Sequence, residues 1–213
     1  MTPAKTQSIA KKKIVELDFG MGNIRSLQKA FEHVGAKVDV VTTPEKILSA
    51  DVLLIPGDGA FGRAMENIKT AEFLEPIQEF IKTGKPVFGV CIGFQILFEK
   101  SLEYNTPESG FGVFPGEITR FDSTELSIPH MGWNTLHITG ASKILKGLHE
   151  KEYFYFVHSY RYAGIHENAV GVSDYGGQFT AVVEKENVVG VQFHPEKSHA
   201  AGLKLITNFL ENF

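Results

Sequence analysis

The feature that most constrains this chain is the alternation of short apolar segments with amphipathic ones along its first half. Four segments are rich in strand-forming side chains: residues 13–19, 38–41, 52–55 and 86–90. Val52-Leu53-Leu54-Ile55 is wholly apolar, which is typical of a strand covered on both faces. Apolar side chains recur at helical spacing over residues 24–34 and 73–83. This alternation predicts an α/β fold, a doubly wound, mostly parallel sheet flanked by helices.

The second half of the chain has a different pattern. Glycine and proline interrupt residues 111–138, which predicts short strands and turns. Residues 153–157 form an aromatic strand, and residues 179–184 and 188–193 form a predicted hairpin. We therefore expect additional mixed or antiparallel strands here, followed by a C-terminal helix over residues 203–213.

Length and charge narrow the possible classes of protein. A chain of 213 residues suits one core, so we predict a single domain over residues 13–213, after a disordered polar tail at residues 1–12. The net charge of −4 gives no reason to expect nucleic acid or a membrane surface as a partner. No apolar run reaches the roughly 18 residues of a membrane-spanning helix. The single cysteine, Cys91, excludes an intrachain disulfide and favours the cytoplasm.

The cysteine lies in a pattern suited to nucleophilic chemistry. Ligands of such sheets bind beyond the carboxyl ends of the strands, and Gly89-Val90-Cys91-Ile92-Gly93 directly follows a predicted strand. Glycine two positions before and after a nucleophile permits the sharp strand-to-helix turn of a nucleophile elbow. The helix N-terminus then stabilises a thiolate, and the Ile92 amide can face an oxyanion. An inert buried cysteine is the competing interpretation.

A cysteine nucleophile needs a base that is held in place by a third group. The predicted strand 188–193 is followed by His194-Pro195-Glu196, which places an imidazole and a carboxylate at one edge of the sheet. A carboxylate bound to one imidazole nitrogen leaves the other free to take the thiol proton. Four other histidines fall in predicted surface segments, where we expect solvated side chains: His33, His137, His149 and His166.

Together these motifs resemble the class I glutamine amidotransferases and, within them, the glutaminase subunits of imidazole glycerol phosphate synthase. The resemblance extends from Lys13 to the C-terminus and rests on six segments: 18–23 (DFGMGN), 56–61 (PGDGAF), 89–95 (GVCIGFQ), 129–134 (PHMGWN), 155–160 (YFVHSY) and 193–198 (FHPEKS). It implies that Cys91, His194 and Glu196 form a catalytic triad. It also implies that this chain hydrolyses glutamine to glutamate and ammonia through a γ-glutamyl thioester.

The resemblance also assigns the residues around the triad. It implies that the Gly57-Asp58 peptide supplies an oxyanion donor beside the Ile92 amide. By position, five residues match those that bind glutamine in the family: Gly59, Gln95, Glu103, Ser159 and Tyr160. The family usually has a small apolar residue at the position of Asp58, and we expect this carboxylate to point away from the oxyanion, where only the backbone N–H is needed.

The family delivers ammonia through a channel to a cyclase subunit with a (β/α)8 barrel, which implies a heterodimer in histidine biosynthesis. Met131, Trp133 and Asn134 are the predicted interface patch, and Asn23 and Lys197 match positions through which the partner signals to the site. We expect the isolated chain to be a poor glutaminase. An enzyme that becomes active only when its partner is loaded avoids hydrolysing glutamine without use.

Alternatives remain open at the level of sequence. A dinucleotide fingerprint beginning at Gly20 fails because Arg25 occupies its third glycine position, and no P-loop or zinc motif occurs, so we expect neither cofactor nor metal. Asp58 keeps open a sister amidotransferase subunit that serves a different synthase. A catalytically silent regulatory subunit and a cysteine peptidase or stress protein on a similar sheet are the other candidates.

Overall fold

The structure is a computed structural model that describes residues 9–213. The tail predicted at residues 1–12 therefore lies mostly outside the described residues. Of its last four residues, Ile9 is buried, and the Lys12 ammonium donates a hydrogen bond of 2.9 Å to the Leu210 carbonyl. These described residues thus contact the body of the protein. No helix among the described residues has both the length and the apolar character needed to cross a membrane.

The elements alternate in the first half as predicted. Within the described residues the strands are β1 Ile14–Leu17, β2 Val38–Val41, β3 Val52–Ile55, β4 Val87–Val90, β5 Phe98–Ser101, β6 Phe114–Arg120, β7 His130–Ile138, β8 Lys151–His158, β9 Tyr160–Ala163, β10 Ala169–Asp174, β11 Gln178–Lys185 and β12 Val188–Val191. From residue 14 onward the α-helices are α1 Ile24–His33, α2 Phe61–Thr70, α3 Leu74–Lys82, α4 Ile92–Gln95 and α5 His199–Asn212.

One sheet joins the two halves of the chain. Its main order is β2-β1-β3-β4-β12-β11-β10-β7-β8, with parallel pairing from β2 to β12 and antiparallel pairing beyond it. Strands β5, β6 and β9 form a branch that pairs with β11. The last strand in the sequence, β12, therefore lies at the centre of the sheet beside β4.

Two hydrophobic cores lie on opposite faces of the parallel sheet, which makes the sheet doubly wound. On one face, α1 and α5 bury Phe31 and Phe209 against Phe88 of β4. The ring centroids of Phe88 and Phe209 are 4.8 Å apart. On the other face, α2 and α3 bury Met65 and Phe80. The predicted helix over residues 73–83 is present as α3, whereas α2 was not predicted.

Candidate active site

Cys91 lies at a sharp turn between β4 and α4. Its backbone has a φ of +55°, which costs strain for a residue with a side chain and is typical of functional sites. A Cβ atom at Gly93 would overlap the Ile55 carbonyl, and one at Gly89 would come within 2.5 Å of the Gly93 carbonyl oxygen. Both glycines of the predicted nucleophile elbow are therefore sterically required.

The strand order brings the histidine to the cysteine. Strand β12 pairs in parallel with β4, with Val191 opposite Val90, and the Cys91 amide donates to the Val191 carbonyl at 2.8 Å. Because parallel strands end at the same edge, His194 follows β12 at the edge where Cys91 follows β4. The His194 backbone is fixed there by hydrogen bonds from its amide to Tyr155 and from the Ser198 hydroxyl to its carbonyl.

Glu196 orients the imidazole. Its Oε1 lies 2.8 Å from His194 Nδ1, and the two side chains are only 3% and 4% exposed, respectively. Nδ1 is therefore committed to the carboxylate. The other nitrogen, Nε2, is buried and has no hydrogen-bond partner among residues 9–213. It is free for proton transfer at the cysteine.

The charges of the three groups support one another. Burial disfavours the charged imidazole, but the nearby Cys91 sulfur and then Glu196 outweigh it and raise the pKa of His194 above its ordinary value. This direction favours the imidazolium form of His194, which can donate a proton beside the cysteine. The arrangement argues against an inert core cysteine, although Cys91 is only 3% exposed.

The triad opens into a cavity of about 360 Å³. Ten of the residues predicted from the sequence line it: Asp58, Gly59, Cys91, Ile92, Gln95, Glu103, Ser159, Tyr160, His194 and Lys197. Pro129, Val157 and His158 complete the wall and were not predicted. Two predicted residues contact this wall without lining the cavity, since Gly57 packs against Ile92 and Glu196 is bonded to His194. The structure thus brings the predicted catalytic, oxyanion and glutamine-binding residues to one place.

The loop after β3 lies against the elbow. A Cβ atom at Gly57 would come within 2.9 Å of Ile92 Cβ, so the Gly57-Asp58 backbone approaches the start of α4 closely. Ile92 is the first residue of that helix, and its N–H therefore has no acceptor within the helix. Asp58 is an exposed residue, so solvent can screen the charge of its carboxylate.

Two buried polar side chains in the wall are available to a ligand. Glu103 Oε2 accepts the Phe61 amide at the start of α2 at 2.7 Å, and burial raises the pKa of Glu103 although this hydrogen bond lowers it. Gln95 Nε2 donates to Tyr160 and Gln192, whereas its Oε1 is buried and unpartnered among the described residues. An acceptor of this kind suits an ammonium group.

Gln192 and His158 were missed by sequence reasoning. Gln192 is fully buried, accepts from Gln95 at 3.0 Å and lies 3.9 Å from the Cys91 sulfur through its Nε2. Both residues had a signal in the sequence, because residues two positions apart on an extended chain face the same side. Gln192 lies two positions before His194, and His158 lies two positions before Tyr160. The expectation of a solvated His166 is wrong, since this residue is buried against Phe98 and other rings.

The residues predicted to face a partner do not all share one surface. Met131 and Trp133 are 62% and 47% exposed, and they project from the same face of β7. Asn134 lies on the opposite face, because side chains alternate along a strand, and it hydrogen-bonds His130 inside the protein. Asn23 is exposed at the start of α1, and the exposed Lys197 reaches over the Tyr155 ring.

Comparison with known proteins identifies the family. The model for the family described as Glutamine amidotransferase class-I matches residues 15–213. The chain belongs to the class I glutamine amidotransferase family. This amidotransferase is 43% identical over 200 residues to imidazole glycerol phosphate synthase subunit HisH of Wolinella succinogenes, covering 92% of this chain and 97% of that protein. It is 46% identical over 197 residues to the HisH subunit of Aquifex aeolicus, covering 92% and 94%.

Solved structures of lower identity share the fold of this amidotransferase. The PurLQS structure from Thermotoga maritima has a TM-score of 0.73 at 20% identity, with 93% of this chain and 98% of that chain covered. A crystal structure described as glutamine amidotransferase has a TM-score of 0.72 at 17% identity, with coverages of 93% and 99%. The predicted fold class, family and enzyme class are therefore confirmed.

Proposed function

We propose that this amidotransferase is the glutaminase subunit of an imidazole glycerol phosphate synthase in histidine biosynthesis, and that it acts in the cytoplasm. The observation that carries the proposal is the elbow cysteine, Cys91, beside an imidazole whose far nitrogen is held by Glu196 at 2.8 Å. The HisH relatives, which match over more than 90% of this chain, support the choice of synthase.

The geometry supports a two-stage hydrolysis. The Cys91 thiolate attacks the side-chain carbonyl carbon of glutamine, and the Ile92 and Asp58 amides stabilise the oxyanion. His194 Nε2 gives its proton to the leaving nitrogen, which departs as ammonia and leaves a γ-glutamyl thioester. Water then gives a proton to His194 and attacks the thioester, which releases glutamate and restores the thiolate. Removing one such oxyanion donor typically raises the barrier by about 2.7–4 kcal/mol.

The cavity wall supplies recognition of glutamine. We assign the α-ammonium of the substrate to the unpartnered Gln95 Oε1 and the Glu103 carboxyl group, both of which line the cavity. Gly59, Ser159 and Tyr160 provide the remaining wall. Apart from the water that cleaves the thioester, the proposed chemistry uses only side chains and backbone amides of this chain.

The partner in this proposal is a cyclase subunit with a (β/α)8 barrel, which receives ammonia before water protonates it. The exposed Met131 and Trp133 on β7, joined by the exposed Tyr153 on the paired strand β8, form its docking surface. Lys197 connects this surface with the cavity, since it lines the cavity and lies over the Tyr155 ring. Asn23 contributes from the turn before α1.

The test is glutaminase activity with and without the cyclase barrel and its nucleotide ligand. We expect low activity for the isolated chain, strong stimulation by the barrel, and loss of activity in Cys91→Ala with binding of the barrel retained. A Cys91→Ala complex that released ammonia as fast as the unmodified chain would refute the mechanism. Stimulation only by the barrel of another synthase would indicate a sister subunit, and glutamine binding without hydrolysis would indicate a silent one.

A further inference from the structure

Two buried histidines, His130 and His158, form a directly hydrogen-bonded pair beside the cavity. They are opposite each other in the register of β7 and β8, and His130 Nδ1 lies 3.0 Å from His158 Nε2. The His130 ring is stacked against Tyr175 and Phe156, with centroids 4.1 and 5.0 Å away. His158 lines the cavity itself. The mechanism above uses neither residue.

The hydrogen bonds of Asn134 determine the direction of the bond to His130. The Asp174 carbonyl can only accept, and it lies 2.9 Å from Asn134 Nδ2. The Thr135 amide can only donate, and it lies 2.7 Å from Asn134 Oδ1. The side-chain amide of Asn134 therefore has one orientation, and the group 3.2 Å from His130 Nε2 is its NH₂. His130 Nε2 must be the acceptor.

The tautomers of both histidines follow from this direction. A neutral His130 that accepts at Nε2 carries its proton on Nδ1 and donates it to His158 Nε2. His158 then carries its own proton on Nδ1, which lies 2.9 Å from its acceptor, the Tyr160 carbonyl. Burial lowers the pKa of His130 to about 4 and that of His158 to about 3, so both rings are neutral at neutral pH.

The chain of hydrogen bonds continues to the nucleophile. The Tyr160 carbonyl accepts a second hydrogen bond, of 2.9 Å, from Gln95 Nε2. The other proton of that nitrogen goes to Gln192 Oε1, and Gln192 Nε2 lies 3.9 Å from the Cys91 sulfur. An uninterrupted series of directed contacts therefore runs from β7 to the sulfur. In it, each polar group has a single role as donor or acceptor.

We propose that His130 and His158 are positioning residues. In their Nδ1–H tautomers they hold the Tyr160 carbonyl at a fixed position relative to β7, the strand that carries Met131 and Trp133. Through this carbonyl they also position Gln95 and Gln192. The inference rests on the proposed glutaminase function and deepens it, because a partner seated on β7 would act on the glutamine site through this pair.

The tautomers can be measured without any substitution. In ¹⁵N-labelled full chain bound to the cyclase barrel, long-range ¹H–¹⁵N correlation spectra separate protonated from unprotonated ring nitrogens. We expect His130 and His158 to be neutral at pH 7, with the proton on Nδ1 in both. A proton on Nε2 of either ring, or a charged ring, would overturn the inference.

Substitutions test the positioning role. His158→Phe keeps a ring but loses the donor to Tyr160, whereas His158→Asn keeps an N–H close to the position of Nδ1. We expect His158→Phe to lower kcat/KM for glutamine about tenfold in the complex and to raise KM, and His158→Asn to restore most of the loss. The matched control is His166→Phe, which removes a buried histidine that is bonded to the Pro115 carbonyl and does not line the cavity.

Thermal unfolding of all three variants separates stability from positioning. The inference predicts that His158→Phe and His166→Phe both lower Tm but only the former changes the kinetics. Equal kinetics for the two variants beside an active unmodified complex would overturn the inference alone. An unmodified complex without glutaminase activity would overturn the proposed function, while the tautomer spectra would still report on the hydrogen bonds themselves.

Discussion

Replacing Glu196 with glutamine isolates the electrostatic part of the triad. The side chain keeps its shape and an oxygen that can accept from His194, but the charge 2.8 Å from Nδ1 is lost. Both side chains are almost fully buried, so water does not compensate. A hydrogen bond to a charged group contributes about 1.5–3 kcal/mol. If that amount is lost from the transition state, kcat/KM for glutamine falls roughly 10- to 150-fold.

The same substitution shifts the pH dependence in a defined direction. Cys91 and Glu196 together raise the pKa of His194 against the effect of burial. Without the carboxylate the pKa of His194 falls. His194 therefore loses, at a lower pH than in the unmodified protein, the proton that it must give to the leaving nitrogen. The alkaline limb of the kcat profile therefore moves to lower pH.

The assay is steady-state ammonia release by the complex across pH 6–10, with Glu184→Gln as the matched control. Glu184 also accepts hydrogen bonds, a half-buried one from the Ser142 hydroxyl at 2.6 Å and an exposed one from the Lys143 amide, but it does not line the cavity. We expect the control to keep its activity. Full activity of Glu196→Gln, or an alkaline limb that moves upward, would refute the role assigned to the carboxylate.

Three further predictions follow from single positions. Gly93→Ala should abolish glutaminase activity, because the new Cβ overlaps the Ile55 carbonyl; measured kcat equal to that of the unmodified complex would contradict the elbow geometry. Burial, with Glu196 next, raises the pKa of Glu16 to about 9 from 4.5, so the folded state holds a proton that the unfolded state releases between those values. Glu16→Gln should therefore unfold at a higher denaturant concentration than the unmodified chain at pH 8 and show a smaller advantage at pH 5. The difference in free energy of unfolding should change by up to about 1.4 kcal/mol per pH unit. A difference that does not depend on pH would disprove this. Met131→Glu should weaken the affinity for the barrel at least tenfold, as measured by ultracentrifugation. Leu48→Glu, a change at another exposed apolar residue, should leave that affinity unchanged. Equal affinities of the two variants would argue against the docking surface.

The local chemistry of the elbow could be predicted from the sequence because it depends on neighbours in the chain. Glycines two positions on each side of Cys91 are required by contacts within that turn and with Ile55. The pair His194 and Glu196 is separated by one proline, so its geometry is also local. A short apolar run located β3 and helical spacing of apolar side chains located α3 for the same reason, since each signal lies within a few consecutive residues.

The arrangement in space could not be predicted in the same way. The sequence indicates a hairpin over β11 and β12, but nothing local places β12 at the centre of the sheet beside β4. That order alone brings His194 to Cys91. It also explains why Gln192, one of the residues missed, contacts the sulfur.

Long-range packing accounts for further differences between the sequence interpretation and the structure. The strand pattern of β7 separates Asn134 from Met131 and Trp133, and the alternation became informative only when the strand bounds were known. His166 lies in a polar segment, yet the rings of Phe98 and Phe114 from distant strands cover it. Helix α2 was missed because its first turn overlaps the glycine-rich loop, and its N-terminus is bound by the remote Glu103.

The central claim is that Cys91 carries the glutamyl group during turnover. Rapid acid quenching of the complex with glutamine, followed by mass spectrometry of the intact chain, measures that intermediate directly. The account predicts a γ-glutamyl thioester on Cys91 that forms and decays within the turnover time and is absent from Cys91→Ala. Glutamine hydrolysis without any adduct on Cys91, and at an undiminished rate in Cys91→Ala, would contradict it.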